Sequence, residues 1–166
     1  MKIQDITNKF CVKKLKEENI DEILTLCKKN ELFYRYHPPM ATRESILDDL
    51  NALPPNKAMK DKYYLGFYKE EVLVAVLDLI LDFPEEKVAY IGFFLMKEEE
   101  QGKGIGSEII RDCMDYLMIL GYKKVRLAID EGNSQRQAFW RKNLFKETGQ
   151  RVPNDVSTYL PMERIL

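Results

Sequence analysis

The chain has 166 residues, 26 basic and 27 acidic side chains and a net charge of -1, the size of one domain with no global field. That balance disfavours nucleic acid and an anionic membrane surface as partners, while 45% apolar residues, with eight Phe and nine Tyr, suffice for a core. Cys11, Cys27 and Cys113 form no CxxC pair, so the expectation is buried thiols, with no disulfide framework and no metal site.

Residues 1–9 lack the apolar run of a signal peptide, and no stretch of about 18 apolar residues follows, which makes a reducing cytoplasm the expected location. Residues 10–16 alternate as a short strand. Ile20, Ile23, Leu24 and Cys27 then recur at helical spacing. Pro38 and Pro39 break that helix within an aromatic loop, residues 33–39. Thr42 is a good N-cap for a second helix carrying Ile46, Leu47, Leu50 and Leu53, stopped by Pro54 and Pro55. Residues 63–68 and 72–81 read as a hairpin, and residues 88–96 as a third long strand. Ile105, Ile109, Ile110, Cys113, Met114 and Leu117 share one face of a strong helix ending at Gly121. A strand over 125–129, a helix over 134–143 and two strands around Pro153 complete the chain. The order is β-α-α-β-β-β-α-β-α-β-β, without repeat or linker: one mixed α/β domain over 1–166.

Three of the eight glycines fall in Gly102-Lys103-Gly104-Ile105-Gly106, between an apolar strand and an amphipathic helix. Glycines there admit positive φ and a close ligand, and the helix start offers unpaired N–H groups and a positive dipole end. The product is a cradle for an anion such as pyrophosphate; the bland alternative is a glycine-rich turn with no ligand. A Walker loop is excluded, because Gly104 and not Ser or Thr follows Lys103. A dinucleotide fingerprint needs G-x-G-x-x-G at the strand's end. Here the spacing is G-x-G-x-G, removed from Met96 by residues 97–101, although Asp130 lies at a plausible distance for a ribose contact.

Met96, a polar spacer and Gln101-Gly102-Lys103-Gly104-Ile105-Gly106 resemble the (Q/R)-x-x-G-x-(G/A) coenzyme A motif of the GNAT N-acetyltransferases. Downstream, residues 125–129, Asn133 and Ala138-Phe139-Trp140 are similar to that family's next block, so the resemblance spans nearly the whole chain. It implies a mostly antiparallel mixed sheet flanked by helices, and acetyl-coenzyme A as cosubstrate. It also implies a cofactor site made of Leu95, Met96, Gln101, Gly102, Lys103, Gly104, Ile105, Gly106, Asn133 and Trp140. The loop amides would hold the pyrophosphate, the main chain of Leu95 and Met96 would pair with the pantetheine arm, and Asn133 would reach the arm from the other side.

Trp140 aligns where the family has a tyrosine that protonates the leaving thiolate, and indole is no acid at neutral pH. It reads as packing over the arm, with Tyr159 as one conceivable substitute donor. No general base is legible: Tyr90 stands where some members carry a glutamate, and Glu98, Glu99 and Glu100 read as solvated rim charges. Asp78 interrupts an apolar strand and faces either solvent or the acceptor cleft. Tyr34, Tyr36 and His37, with Asp78 and Tyr90, are the candidate acceptor-binding residues, for a small-molecule or peptide amine. Two other readings stay open: a non-catalytic coenzyme A binder of the same fold, and a nicotinamide dinucleotide binder. The oligomeric state, a homodimer included, is not written in the sequence.

Overall fold

The most apolar run of the chain becomes its central strand, β3 (Val72–Leu81), in which every residue after Val72 is buried. Such continuous burial marks a strand covered on both faces. In the computed structural model, which describes residues 1–166, it lies within an eight-stranded sheet. The other strands are β1 (Cys11–Lys14), β2 (Lys62–Lys69), β4 (Val88–Met96), β5 (Lys124–Asp130), β6 (Lys146–Glu147), β7 (Val152–Pro153) and β8 (Thr158–Ile165). The spatial order is β1-β2-β3-β4-β5-β8-β6, with β7 on β8; of these pairs only β4 with β5 is parallel.

Helices cover both faces. On one side α1 (Ile20–Lys28) and α3 (Arg43–Asn51) bury Ile20, Ile23, Leu26, Ile46 and Leu50 against Tyr64, Val76 and Leu95. Thr42 and Ser45 cap α3 reciprocally, Ser45 N–H donating to Thr42 Oγ1 at 3.1 Å and Thr42 N–H to Ser45 Oγ at 2.9 Å. On the other side α4 (Ile105–Ile119) presents Ile109, Ile110, Cys113, Met114 and Leu117 to Leu77, Leu79 and Val125. This helix is the crossover that a parallel β4–β5 pair requires. Trp140 of α5 (Ser134–Lys142) joins the same core.

Three elements differ from the sequence expectation, the first being α3, which ends at Asn51 and leaves Leu53 beyond it. Part of the aromatic loop is a short helix, α2 (Glu31–Tyr36), which buries Phe33; the prolines act only from His37 onward, where the residue before a proline avoids helix. The tail holds three strands and not two. Pro153 lies in β7, a two-residue edge strand that tolerates a missing N–H.

Leu144 follows α5 with φ +68 although 66% exposed, a left-handed conformation that costs a branched L-residue about 1–2 kcal/mol. Leu144→Gly removes that strain and little packing, at some cost in unfolded-chain entropy. The expected net gain is about 0.5–1 kcal/mol, a rise of about 2 °C in Tm by calorimetry. A lower Tm would contradict this account.

Candidate functional site

The site begins where the sheet opens. β4 and β5 pair only from Val88 with Lys124 to Ile91 with Leu127. The register between β3 and β4 then shifts: Leu79 faces Ile91 but Asp78 faces Phe93, so Gly92 is an extra residue in β4. Such a bulge bends its strand, and beyond it β4 follows β3 while β5 follows β8. The gap between them is lined by β4, the glycine loop, α5 and the start of α2. It contains a cavity of about 220 Å³ bordered by Asn30, Phe94, Met96, Gly104, Asn133 and Arg136.

Strand alternation decides which main-chain groups face the gap. Lys97 N–H donates to Val74 O at 2.8 Å, so Leu95 and Phe93 also turn their polar groups toward β3. Phe94 and Met96 turn theirs into the gap. Consistently, Phe94 O accepts from Arg136 Nη1 at 3.1 Å, and Met96 O accepts from Asn30 Nδ2 at 3.0 Å and Gln101 Nε2 at 3.2 Å. Of the two strand residues expected to pair with a ligand through their main chain, Met96 faces the gap, while Leu95 contributes only as cavity wall. Phe94, which the sequence did not single out, takes the second main-chain position.

The glycine loop is shaped for an anion. Gly102 and Gly104 hold φ +73 and +85, and a Cβ on either would meet nothing within 4 Å, so the space above the loop is open. Gly104 caps α4 without a side-chain acceptor, which leaves the first N–H groups of that helix unpaired by a cap. Gly106 has another reason: a Cβ there would stand 3.2 Å from Phe139 and 3.3 Å from Met96, so glycine lets α4 approach the strand end. Gln101 turns inward, its Nε2 donating to Asn30 Oδ1 at 2.7 Å and to Met96 O, and so ties the loop to the α1–α2 junction and β4. The Lys103 side chain is exposed and pairs with Glu100 at 3.3 Å. Ile105 packs toward the core. The Ile105 side chain is thereby turned away, so only its main chain is available to the cradle. Glu99 pairs with Lys29 at 2.7 Å, a surface contact consistent with a rim charge.

Across the gap, Asn133 is buried and its Oδ1 accepts from Arg136 N–H at 3.1 Å, capping α5 and leaving its amide NH₂ to the cavity it lines. Trp140 is 1% exposed within a ring cluster of Phe94, Phe139 and Phe145, and its Nε1 has no partner. It is a wall of the cavity and offers no acid.

A second cavity, of about 480 Å³, lies beside the bulge between β2, β3, β4 and the α2–α3 loop. Its walls are mostly Pro38, Pro39, Leu53, Pro54, Ile80 and Phe93, with Tyr34, Tyr64, Tyr90 and His37 adding polar edges. Asp78 resolves to the cleft side. Its Oδ2 accepts from the buried Lys62 Nζ at 2.9 Å, whereas its Oδ1 is buried without a partner. Burial pushes the Asp78 carboxyl up to about 6, against the pull of the Lys62 ammonium. Asp49 lines the same cavity, and burial raises it too, again against Lys62. A Cβ on Gly92 would stand 2.8 Å from Asp78 Oδ2, so the bulge glycine makes room for this carboxylate.

The aromatic residues divide. Tyr34, Tyr90 and His37 line the second cavity, and burial raises both phenols. His37 Nδ1 is held by Asp130 Oδ2 at 3.1 Å. Tyr36 is outside this cavity, its ring approaching Gly132 instead. Tyr159 lines neither cavity and stands 6.5 Å from the His37 ring. Lys62, Asp49, Asn30 and Arg136 escaped the sequence reading; only Arg136 carried a signal there, four residues before Trp140 on one helix face.

An open strand edge thus lies beside a glycine loop with open space above it, and a second cavity with a raised carboxylate lies at the bulge. The chain belongs to the acetyltransferase (GNAT) family, whose model matches residues 18–144. It is accordingly an acetyl-coenzyme A-dependent N-acetyltransferase. No curated protein matches it in sequence. Solved structures share the fold at low identity. An acetyltransferase from Thermus thermophilus is 18% identical with TM-score 0.73, covering 95% of this chain and 97% of its own. The PaiA N-acetyltransferase from Thermoplasma acidophilum, in complex with coenzyme A, is 18% identical with TM-score 0.70, covering 95% and 99%. A spermidine N-acetyltransferase SpeG chimera from Vibrio cholerae and hSSAT is 17% identical with TM-score 0.70, covering 95% and 96%.

Proposed function

We propose that this enzyme acetylates a small primary amine with an apolar body, bound in the second cavity, and that Asp78 is the general base. The observation that carries the reading is the free, buried Asp78 Oδ1, beside the bulge where the two cavities approach each other. The cavity of about 480 Å³ falls in the ordinary range for small-molecule sites, and its walls are largely apolar. Asp49 and Asp78 together outweigh Lys62, which favours an acceptor arriving as an ammonium ion.

Acetyl-coenzyme A supplies the activated acyl group. The residues present fit it: the open 101–106 loop and the amides starting α4 suit its pyrophosphate, the Phe94 and Met96 edge suits its arm, and the Asn133 amide faces that edge. Asp78 then has the harder task. A lysine-like amine with a pKa near 10.4 needs about 4.6 kcal/mol to become neutral at pH 7. A carboxylate lifted toward neutrality is a better proton acceptor than an ordinary one, and Lys62 fixes its orientation.

Thiol release measured over a panel of amines tests the assignment. Turnover is expected for small primary amines with apolar bodies, and not for long peptides. Turnover confined to peptide amino termini would overturn the acceptor class. Coenzyme A binding without turnover on any amine would favour the non-catalytic reading instead.

A further inference from the structure

The family's phenol near the thioester is missing here, because Trp140 is buried and Phe139 beside it is apolar. One turn earlier on the same face of α5 stands Arg136. Its guanidinium lies over the Phe33 ring, 4.7 Å from the centroid, and donates from Nη1 to Phe94 O. Phe94 is the strand residue whose main chain opens into the gap, next to the bulge and the second cavity. The cation therefore stands at the inner end of the gap, where an arm paired with β4 would end.

Arg136 has no ion-pair partner, and its charged surroundings are few. Asp130 of β5 and Tyr34 of α2 act on it through space. Asp130 is already engaged by His37 Nδ1 at 3.1 Å and Ser157 Oγ at 3.2 Å. Glu100 and Lys142 border the same cavity. Burial lowers the guanidinium to about 10, which leaves it charged at neutral pH. A half-buried cation without a carboxylate is costly to keep unless an anion forms beside it.

We propose that Arg136 takes over from the missing phenol by stabilising the departing thiolate as an anion, a catalytic role that needs no proton. The inference rests on the acyl-transfer reading above. One ammonium proton passes to Asp78, the freed amine lone pair forms the C–N bond, and the second nitrogen proton leaves to water as the adduct collapses. The C–S bond breaks with its electron pair on sulfur, beside the guanidinium. The thiolate afterwards takes a proton from water, and Asp78 returns its own to solvent.

The test uses binding and not turnover. Coenzyme A and desulfo-coenzyme A, which lacks the thiol, are titrated into the wild-type protein by calorimetry between about pH 6.5 and about pH 9, around the ordinary thiol pKa of about 8.5. If Arg136 favours the thiolate by about one unit, the affinity ratio of the two ligands rises about sevenfold across that range. Arg136→Lys keeps part of the rise and Arg136→Gln flattens it, while desulfo-coenzyme A affinity reports that the cleft is intact in each variant. A flat ratio in the wild type, or an unchanged rise in Arg136→Gln, would overturn the proposal. Failure of both ligands to bind the wild type would overturn the cofactor reading as well, and so is distinguishable.

Discussion

Asp78→Asn is expected to lower turnover by about 10²–10⁴-fold, the span that a positioned general base supplies. Asparagine keeps the shape and still accepts from Lys62, but cannot take a proton. Because burial places the Asp78 carboxyl at about 6, wild-type kcat/KM should fall below that pH with unit slope and level off above it. The sign follows from the role: the base works only when deprotonated, so acid removes activity. In Asp78→Asn this limb should disappear. The substitution also leaves Lys62, 2% exposed, without a carboxylate, and removing one partner of a buried pair costs about 3–5 kcal/mol. Stability loss alone would depress turnover for every acceptor equally. The discriminating measurement is therefore an amine with a pKa below 7, already neutral on arrival, for which the loss should shrink strongly. An equal loss for neutral and charged amines would remove Asp78 from the proton path.

The contrast between Asp78 and its surroundings shows what the sequence could carry. The glycine loop was legible because glycine at positive φ before an apolar-striped helix has few other causes, and the described loop keeps Gly102 and Gly104 in that conformation. The helices were legible from spacing and from Thr42, whose cap is local. Asp78 was visible as an interruption, but its direction depended on Gly92, an inserted residue that shifts the register between β3 and β4. A bulge of that kind follows from pairing, not from the strand's own sequence. Lys62 pairs with Asp78 across the β2–β3 pair, and Asn30 reaches Met96 across 66 positions, so neither had a local signature. The short helix holding Phe33 was hidden by the two prolines that follow it. Leu95 was expected to offer its main chain because it adjoins Met96, yet alternation sends adjacent residues to opposite edges.

Gly104→Glu is the counterpart at the other end of the cleft, expected to weaken coenzyme A binding on the order of a thousandfold while the protein stays folded. Two unit charges about 4 Å apart repel by about 4 kcal/mol at a surface-like dielectric near 20, which corresponds to that factor. The carboxylate would enter the space above the loop, where a Cβ at position 104 meets no neighbour. It would also compete for the helix-start amides that the pyrophosphate needs, since a negative charge caps the positive end of the helix dipole favourably. That capping offsets part of the cost of forcing φ +85 on a residue with a Cβ, so the melting temperature should change by only a few degrees. Repulsion is screened by salt, so the deficit should narrow as ionic strength rises. Gly104→Ala separates the contributions: it carries the backbone strain without the charge, and should lose far less affinity than Gly104→Glu. Equal losses in the two variants would assign the defect to loop geometry, and unchanged affinity in a folded Gly104→Glu protein would remove the pyrophosphate from this loop. Because the cradle lies at the far end of the arm from Asp78, Gly104→Glu should act on cofactor affinity and leave the acid limb of the rate profile, governed by that carboxylate, where it is.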